Sequence, residues 1–278
     1  MKYYFRDRIP AGRMLAAHLK TTAEHTPDHH DYHPHYELYF CKTPFPQEIV
    51  SGSASIKIGT PAVVLTAPFA IHAMSPGEKA ERFERLVVYF NDDFREAFGE
   101  RILPQTLFTG GTNCLYPLTD AAALTLAEEL PGILNSTRTE AERALSLAGF
   151  LIRVSHLCPE EARVRFRQSE SYIPHVLKYL YENCGTELTA AEIAAHFHVS
   201  RAKLDRDFTA SVGQTLHQAV NDLRTANAKR LLETTNLPAS EIAAAVGISS
   251  EYYFYAFFRR ETGMTPQEYR KAFRQGQF

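Results

Sequence analysis

Three histidines and one glutamate in the first third of the chain are the residues best suited to hold a ligand. His33, His35 and Glu37 occupy every second position, and His72 ends a Pro-x-x-x-His segment that begins at Pro68. Alternate residues of a β-strand point to the same face, so the first three would share one face. Two imidazoles and a carboxylate, joined by an imidazole from a neighbouring strand, could hydrogen-bond a small effector or ligate a divalent metal.

Contact with a small organic effector is the preferred interpretation of these four residues, and no metal ion or other cofactor is predicted. Glu37 follows His35 by two residues, which is closer than the usual metal-binding pattern. A third alternative is a set of hydrogen-bonded histidines without any ligand. The sequence contains no P-loop, dinucleotide fingerprint or nucleophile–base set, which disfavours an enzyme.

A second set of polar residues occurs twice near the C-terminal end, each time with the signals of a helix-turn-helix. Thr189 and Glu192 form a capping box before an alanine-rich run, and Ser200 can cap the following helix. The unit returns at Ala239–Ala244, where Gly247-Ile248-Ser249 takes the place of His198-Val199-Ser200. Two copies are too few for a solenoid, but they suit two helix-turn-helix modules joined by a helix.

The outward positions of the second helix in each module are the candidate DNA contacts. A helix presented in this way fits the major groove, with its N-terminal turns near base edges. The residues assigned to the core are Leu204, Phe208, Tyr253, Phe254, Phe257 and Phe258. The predicted DNA-contacting residues are Ser200, Arg201, Ala202, Lys203, Asp205 and Arg206 in the first module, and Ser250, Glu251, Tyr252, Tyr255 and Ala256 in the second.

About the last hundred residues resemble the DNA-binding domain of AraC/XylS transcription regulators. The resemblance implies two recognition helices in successive major grooves on one DNA face, with a linking helix here from about Leu216 to Glu233. That family usually has Ser-Arg after the Tyr-Phe pair of its second recognition helix, whereas this chain has Tyr255-Ala256, so base reading is expected mainly from Arg206. The positions that carry the resemblance are Leu223-Arg224, Ala228-Lys229-Arg230-Leu231-Leu232, Glu241-Ile242-Ala243, Gly247-Ile248-Ser249, Tyr253-Phe254, Phe258-Arg259-Arg260, Gly263-Met264-Thr265-Pro266 and Tyr269-Arg270.

The N-terminal part, to about Tyr116, is predicted to be β structure. Short strands separated by Gly and Pro are typical of a small sandwich or barrel. The His33–Glu37 segment and the later Pro68–His72 segment resemble the cupin-type sensor domain of the same regulators, which generally sense organic ligands without metal. The predicted strands are Tyr36–Cys41, Ser53–Lys57, Ala62–Thr66, Pro68–Ala73 and Arg85–Phe90.

The stretch from about Leu118 to Val164 is predicted to be helical, with a break at Pro131-Gly132. The helix that begins near Thr139 has apolar residues on two sides, which favours burial against the barrel and against a second chain. The alternative is burial of both sides within one chain. The charged segment from Glu160 to Ser169 is interpreted as the interdomain linker, and a helix over Tyr172–Asn183 opens the DNA-binding domain.

Bulk properties describe an ordinary globular protein rather than a strongly basic one. The chain has 278 residues and a formal net charge of -2, which argues mildly against tight non-specific DNA binding. The first residues lack the apolar segment of a signal peptide, and no apolar run approaches transmembrane length. Four isolated cysteines fit no metal or redox spacing, so a reducing, cytoplasmic setting without membrane association is expected.

These patterns predict an α+β protein with three parts. Residues 1–116 form a cupin-like effector-sensing β-barrel, residues 117–168 a helical dimerisation segment and linker, and residues 169–278 an all-α domain with two helix-turn-helix units. The predicted function is a transcription regulator, with activation as the expected effect. Its expected partners are double-stranded promoter DNA, a small-molecule effector such as a sugar, a second copy of the chain, and RNA polymerase. The alternatives are a metal-dependent cupin enzyme and a constitutive DNA-binding factor whose barrel binds no effector.

Overall fold

A computed structural model describes residues 2–5, 9–10, 13–20, 29–42, 47–51, 54–76, 84–108, 113–166 and 171–277. The chain divides into two compact units, Met1–Ser171 and Tyr172–Phe278. Within the described ranges, no helix is long and apolar enough to cross a membrane.

The first unit contains the strands, and they lie in two open sheets. One sheet has the order β1-β3-β8-β5-β6 and the other the order β11-β10-β7-β4-β9-β2; neighbouring strands are antiparallel except β1 and β3. The strands are β1 (Lys2–Phe5), β2 (Leu15–Lys20), β3 (His29–Tyr32), β4 (Tyr36–Cys41), β5 (Gln47–Ser51), β6 (Ala54–Ile58), β7 (Ala62–Thr66), β8 (His72–Pro76), β9 (Arg85–Phe90), β10 (Cys114–Pro117) and β11 (Val164–Arg165).

Three predicted strands are confirmed at both ends, and two are shifted. The strands β4, β7 and β9 have the predicted bounds, whereas β6 begins at Ala54, and Ser53 lies outside the described residues. The predicted strand over Pro68–Ala73 is wrong in its first half, because Pro68 and Phe69 form a turn and β8 begins at His72. A closed cupin barrel is not reached in the described part of the chain, where the two sheets remain separate.

The six-stranded sheet is buried on both faces. Along β4, Leu38 and Phe40 belong to a core shared with helices, while Tyr39 and Cys41 belong to the core between the two sheets. Side chains alternate along a strand, so Glu37 lies on the same side as Tyr39 and points between the sheets. This alternation places a carboxylate in the inter-sheet core.

Four helices cover the outer face of that sheet. They are α1 (Asp92–Ile102), α2 (Asp120–Ala127), α3 (Leu130–Leu134) and α4 (Glu140–Leu157). A break is present, but it lies at Glu128 and Glu129 rather than at the predicted Pro131-Gly132. Pro131 lies in the first turn of α3, where its missing N–H costs nothing. The predicted start of α4 is confirmed, since Thr139 and Glu142 form a reciprocal capping box.

The predicted linker over Glu160–Ser169 is partly wrong. Val164 and Arg165 form β11 and pair with β10 at the edge of the six-stranded sheet. Phe166 is buried in the inter-sheet core, and its N–H donates to the carbonyl of Asn113 at 2.9 Å. One aromatic side chain in a charged segment was enough to anchor it. Residues 167–170 lie outside the described residues.

The second unit is entirely helical where it is described. Its helices are α5 (Ile173–Asn183), α6 (Ala190–His196), α7 (Arg201–Val212), α8 (Leu216–Thr234), α9 (Ala239–Ala245), α10 (Glu251–Thr262) and α11 (Pro266–Arg274). The connecting helix α8 confirms the prediction for Leu216–Glu233 and extends it by one residue.

The duplication in the sequence is a structural duplication with a register of 50 residues. The helices α7 and α10 have serine N-caps, Ser200 and Ser250, and each is followed by a threonine capping box, at Thr215 and Thr265. The cap of α10 is Ser250, one residue beyond Ser249, which matches Ser200 in the sequence pattern, so the second turn is one residue longer than the first. Because the helices keep the 50-residue register, residues of α7 and α10 can be compared position by position.

Candidate functional site

Each helix-turn-helix turn depends on one residue with positive φ. His198 has φ 54 in the first turn and Gly247 has φ 74 in the second. A non-glycine residue in this region is strained, although histidine tolerates it better than most. Both turns are closed by backbone hydrogen bonds, from Val199 N–H to Ala194 O and from Ile248 N–H to Ala243 O. Both second helices therefore leave their turns in a defined direction.

The first recognition helix, α7, presents all six predicted DNA-contacting residues to solvent. Leu204 and Phe208 are fully buried beneath it, as predicted. The guanidinium of Arg206 is part of a side chain that is 73% exposed, so it points away from the protein. The helix thus offers three cationic side chains to a ligand at its outer face: Arg201, Lys203 and Arg206.

Every cation of α7 has an aspartate partner on the same helix. Arg201 lies 3.7 Å from Asp205 (Nε to Oδ2), and both Lys203 and Arg206 contact Asp207. Asp207 was not singled out by the sequence analysis, although its spacing of i+4 from Lys203 could have revealed it. These pairs orient the cations and partly neutralise them.

Asp207 is also tied to the start of the unit. The hydroxyl of Tyr172 donates to Asp207 Oδ2 at 3.2 Å, and the ammonium of Lys203 lies 5.5 Å from the centre of the Tyr172 ring. The hydrogen bond from Lys203, together with those from Arg206 and Tyr172, lowers the pKa of the Asp207 carboxyl. Asp207 therefore remains an anion that positions two neighbouring cations.

The second recognition helix, α10, is rich in aromatic residues and lacks the exposed cations of α7. Phe254, Phe257 and Phe258 are buried, as predicted, and form the core of the second module with residues of α8 and α9. Tyr253 was wrongly assigned to this core; it is 50% exposed and occupies the position of Lys203. Tyr252 beside it is 88% exposed.

The remaining predicted contacts of the second module lie where they were expected to lie. Ser250, Glu251 and Ala256 are exposed, and Tyr255 is half-buried. In the 50-residue register, Ala256 corresponds to Arg206 and Glu251 to Arg201. At the positions of the three cations of α7, the outer face of α10 therefore has Glu251, Tyr253 and Ala256, and none of them is a cation.

Two arginines donate hydrogen bonds to backbone carbonyls at the C-terminal ends of other helices. Arg224 on α8 donates to the carbonyls of Cys184 and Thr186, both at 3.0 Å, beyond the C-terminus of α5. Arg270 on α11 donates to the carbonyls of Leu232 and Leu237 around the C-terminus of α8. Cations at free helix carbonyls satisfy orphan acceptors and complement the helix dipole. These hydrogen bonds connect α8 to the end of α5 and α11 to the end of α8.

The second turn also contacts the first module through backbone atoms. A Cβ on Gly185 would lie 2.6 Å from the carbonyl oxygen of Ala245, and a Cβ on Gly247 would lie 2.9 Å from that of Cys184. Glycine is needed where backbones approach this closely. The two modules therefore have a fixed relation within the second unit.

In the first unit, the structure brings His33, Glu37 and His72 together. Nε2 of His33 and Nε2 of His72 lie 3.1 and 2.7 Å from the same oxygen, Oε2 of Glu37. All three side chains are buried between the sheets. Nδ1 of His33 faces the carbonyl of His35 at 2.9 Å, and Nδ1 of His72 faces that of Ala70 at 2.8 Å.

His35 does not join this group as the strand argument predicted. The residues from His33 to His35 form a bend before β4. The imidazole that contacts Glu37 from this segment is that of His33, four residues before it. The His35 ring is buried and stacks against His33 with centroids 6.2 Å apart. His35 contributes its carbonyl oxygen to the arrangement, through the hydrogen bond from His33.

Burial and hydrogen bonding act in opposite directions on these groups. Burial alone would raise the pKa of Glu37, but hydrogen bonds from His33 and His72 hold it well below its ordinary value. Burial lowers the pKa of His33. Burial also disfavours charge on His72, but its hydrogen bond to Glu37, the negative charges of Glu37 and Asp31 and the Ala70 carbonyl together outweigh that effect and raise the pKa of His72. Glu37 is therefore the buried anion of the cluster.

Comparison with known proteins agrees with the helix-turn-helix geometry. A family model described as a helix-turn-helix domain matches residues 193–272. The chain is similar to the xylose operon regulatory protein of Haemophilus influenzae, at 28% identity over 37% of this chain and 26% of that protein. It is also similar to the protein of the same name from Escherichia coli K12, at 36% identity over 26% of this chain and 18% of that protein. The chain spans less than half the length of the curated relatives it matches.

Solved structures of one protein, ToxT, show a likeness over most of the chain. An apo form of ToxT from Vibrio cholerae is covered over 98% of its length and 94% of this chain, with 14% identity and a TM-score of 0.49. Likeness at this level does not bear on function. The matched segment, the duplicated turns and the regulatory relatives agree with one another, and the C-terminal unit is a helix-turn-helix domain of the AraC/XylS family.

Proposed function

We propose that the protein regulates transcription by binding promoter DNA through α7 and α10. The observation that carries this proposal is the outer face of α7, where Arg201, Lys203 and Arg206 are exposed above a fully buried core. An exposed cation on a supported helix can reach phosphates and base edges in the major groove. The curated relatives named above are regulatory proteins of sugar operons, which supports the same reading.

The two recognition helices have different roles in this proposal, base recognition for α7 and backbone contact for α10. Arginine reads guanine through two hydrogen bonds, so Arg206 is the candidate base-reading residue. Tyr252 and Tyr253 on α10 offer apolar rings and hydroxyl groups, which suit contacts to the sugar–phosphate backbone. The module with α7 would then give sequence specificity, and the module with α10 would give register and affinity.

The direct test is Arg206→Ala in the full chain, with DNA fragments selected by the wild-type protein from a random pool. The loss of a bidentate contact to guanine should weaken specific binding by about 1–3 kcal/mol, or about 5- to 150-fold. Gel-shift titration at one fixed salt concentration measures this change. Non-specific binding should weaken far less.

Lys178→Ala is the matched control for this test. Lys178 is an exposed cation on α5 that pairs with Glu182 at i,i+4, as Arg201 does with Asp205 on α7. It should leave specific binding unchanged, because it lies outside both recognition helices. Unchanged specific binding by Arg206→Ala, or an equal loss in both variants, would contradict the assignment of α7.

We further propose that the first unit binds a small ligand and that the protein acts as a homodimer. The ligand site is the buried polar group formed by His33, Glu37 and His72 with the adjoining His35. The names of the relatives make xylose the first effector to test. Such a ligand would regulate only if it bound the DNA-binding and non-binding forms unequally. Contact with RNA polymerase and activation rather than repression remain predictions.

The alternative of an effector-free factor depended on aromatic side chains filling the space between the strands. Phe40 and Phe90 instead pack on the helical side of the six-stranded sheet, against Phe150 and Phe94. The ring of Phe40 lies 5.5 Å from that of Phe150, and the ring of Phe90 lies 5.0 Å from that of Phe94. Phe69 is buried in the turn before His72. Phe40 and Phe90 therefore do not fill the space between the sheets, but Tyr39, Tyr89 and Phe166 are buried there, so this alternative stays open.

A further inference from the structure

Three buried ligand atoms converge on one point between the two sheets of the first unit. They are Nε2 of His33, Nε2 of His72 and Oε2 of Glu37, and all lie within 4.8 Å of one another. The two imidazole nitrogens approach the same carboxylate oxygen from different strand connections, with their rings inclined at 77°. Two imidazoles and one carboxylate form the ligand set that first-row divalent metals occupy with open coordination positions.

The hydrogen bonds of this cluster require more protons than neutral histidines can provide. A carbonyl oxygen can only accept, so Nδ1 of His33 and Nδ1 of His72 must both carry hydrogen. A neutral imidazole has one N–H, so each Nε2 would then direct a lone pair at Glu37. A protonated Glu37 could donate to one of them but not to both. The two contacts with Glu37 therefore need two further protons, held either as two imidazolium ions or as one imidazolium ion and a protonated Glu37, unless a cation lies among the three atoms.

The charge is the same in both cases, but the environment favours the metal. Two imidazolium ions and a carboxylate sum to +1, as does a divalent cation with a carboxylate and two neutral imidazoles. Each protonated arrangement leaves at least one imidazolium ion between apolar sheets, where burial disfavours the charged ring. A single divalent ion bound to three ligand atoms replaces both acidic protons and removes the repulsion between the lone pairs and the carboxylate.

The surrounding backbone already orients the histidines as metal ligands. Ligating histidines characteristically donate their second N–H to a carbonyl or carboxylate, which fixes the ring and the tautomer. His33 and His72 both do so, with the carbonyls of His35 and Ala70. The ring nitrogens that remain are the two that face Glu37.

A strained residue supports this arrangement. Phe69 has φ 62, which is unfavourable for a bulky side chain, and its N–H donates to the carbonyl of His33 at 2.8 Å. The turn that contains Phe69 also presents the Ala70 carbonyl to His72. Strain of this kind persists where the surrounding structure imposes it, and it is concentrated at functional sites.

We propose that His33, Glu37 and His72 bind one divalent transition-metal ion through Nε2, Oε2 and Nε2. Cis ligands at about 2.1 Å from a metal in octahedral geometry lie about 3.0 Å apart, close to the 3.1 and 2.7 Å between each histidine and Glu37. Three ligands leave coordination positions for water or for an oxygen atom of an organic effector. A divalent metal ion would thus be the ligand, or part of the ligand, of the site that the proposed function assigns to the first unit. Metal binding there does not depend on DNA binding.

The experiment is the titration of the full chain, purified with chelator, with Co²⁺. Equilibrium dialysis with elemental analysis should give one Co²⁺ per chain, and the bound ion should show a visible d–d absorption band. An ion at a hundredfold excess over its Kd should also raise the Tm of the first unit by about 5 °C or more. The absence of stoichiometric uptake of Co²⁺, Zn²⁺ and Fe²⁺ by the wild-type chain would overturn the proposal.

Variants place the ion within the molecule. Glu37→Gln and His72→Asn should each weaken Co²⁺ binding by more than about 100-fold, since they remove ligands rather than supporting residues. His156→Asn, which changes an exposed histidine on α4, should retain full binding. Equal binding by all three variants would overturn the assignment, and wild-type stoichiometry remains decisive if a buried variant does not fold. Because no readout uses DNA, failure here would leave the DNA-binding proposal intact, and the reverse is also true.

Discussion

Asp207 determines how the first recognition helix presents its cations. It contacts both Lys203 and Arg206, and the hydroxyl of Tyr172 holds it in place. An anion on a DNA-facing helix opposes phosphate binding, so it needs a compensating role. Fixing the directions of two cations is such a role, because bidentate recognition of a base depends on the orientation of the guanidinium.

Asp207→Asn should therefore separate affinity from specificity. Removal of the negative charge should strengthen non-specific binding and make the slope of log K against log salt steeper by up to about 0.9. The discrimination between the selected site and random DNA should fall, because Lys203 and Arg206 lose their shared partner. Fluorescence anisotropy with both DNAs over a range of salt concentrations measures the two effects.

Asp205→Asn is the control with the same change in charge. Asp205 pairs with Arg201 across 3.7 Å, and it does not contact Arg206 in the ion pairs of this helix. This variant should show the steeper salt dependence and keep the discrimination ratio. If both variants lost discrimination equally, charge alone would account for the role of Asp207.

The sequence identified the residues of the buried cluster, but not their geometry. The rule that alternate residues share a face grouped His33, His35 and Glu37 because it assumed a strand throughout. The chain bends at His33–His35, and one face then joins His33 to Glu37 instead. Pro34 lies within this bend and is the local signal that the strand begins later.

At the scale of elements, helix starts were predictable and the contact between modules was not. Capping boxes are local, so Thr139, Thr189 and Thr265 mark their helices in the sequence. The close approach of Gly185 to Ala245 joins residues 60 positions apart, which no local pattern reveals. Ser249 and Ser250 are equally good caps, so the sequence alone does not decide which of them begins α10, and the structure has Ser250.

Alanine substitutions at three glycines of the second unit would distinguish the cost of backbone strain from the cost of a steric clash. Gly263→Ala meets no atom within 4 Å but has φ +80, so it should destabilise the unit by about 1–2 kcal/mol. Gly185→Ala meets the Ala245 carbonyl at 2.6 Å without a positive φ, and Gly247→Ala combines a contact at 2.9 Å with φ +74. Gly247→Ala should therefore cost most, about 3 kcal/mol or more.

Urea unfolding followed by helical circular dichroism gives these differences. Gly59→Ala is the control, because a Cβ there meets nothing within 4 Å and the residue lies in the other unit. It should leave the unfolding of the second unit unchanged. A Gly247→Ala variant no less stable than Gly263→Ala would show that the contact with Cys184 does not hold the modules together.

At the scale of the whole molecule, the sequence predicted element types better than their assembly. Alternating and apolar runs identified β4, β7 and β9, because their patterns are local. The arrangement into two open sheets depends on pairings between distant strands, such as β10 with β11. The strand β11 lies in a charged segment whose sequence does not resemble a strand. The duplicated unit was the exception, since self-similarity encodes assembly in the sequence itself.

The proposed dimer follows from the one side of α4 that the first unit leaves uncovered among its described residues. Leu147, Leu151 and Val154 are buried, but Leu145 is 62% exposed and Ile152, two turns away on the same side, is half-buried. An apolar stripe on an otherwise packed helix suits a symmetric contact with a second copy. The sequence predicted two apolar sides, and both are partly buried within the first unit, one through Ala148 and Leu151 and the other through Leu147 and Val154. The uncovered residues lie beside the first of these sides.

Leu145→Glu should therefore convert dimers into monomers without unfolding the chain, because a charge at the centre of an apolar interface is costly whereas an exposed helix position tolerates it. Sedimentation equilibrium measures the shift, and circular dichroism verifies the fold. Leu19→Glu is the matched control, since Leu19 is also an exposed leucine of the first unit but lies on β2. It should keep the oligomeric state of the wild type. If Leu145→Glu sediments as the wild type does, or if both variants dissociate equally, the contact does not lie on this side of α4.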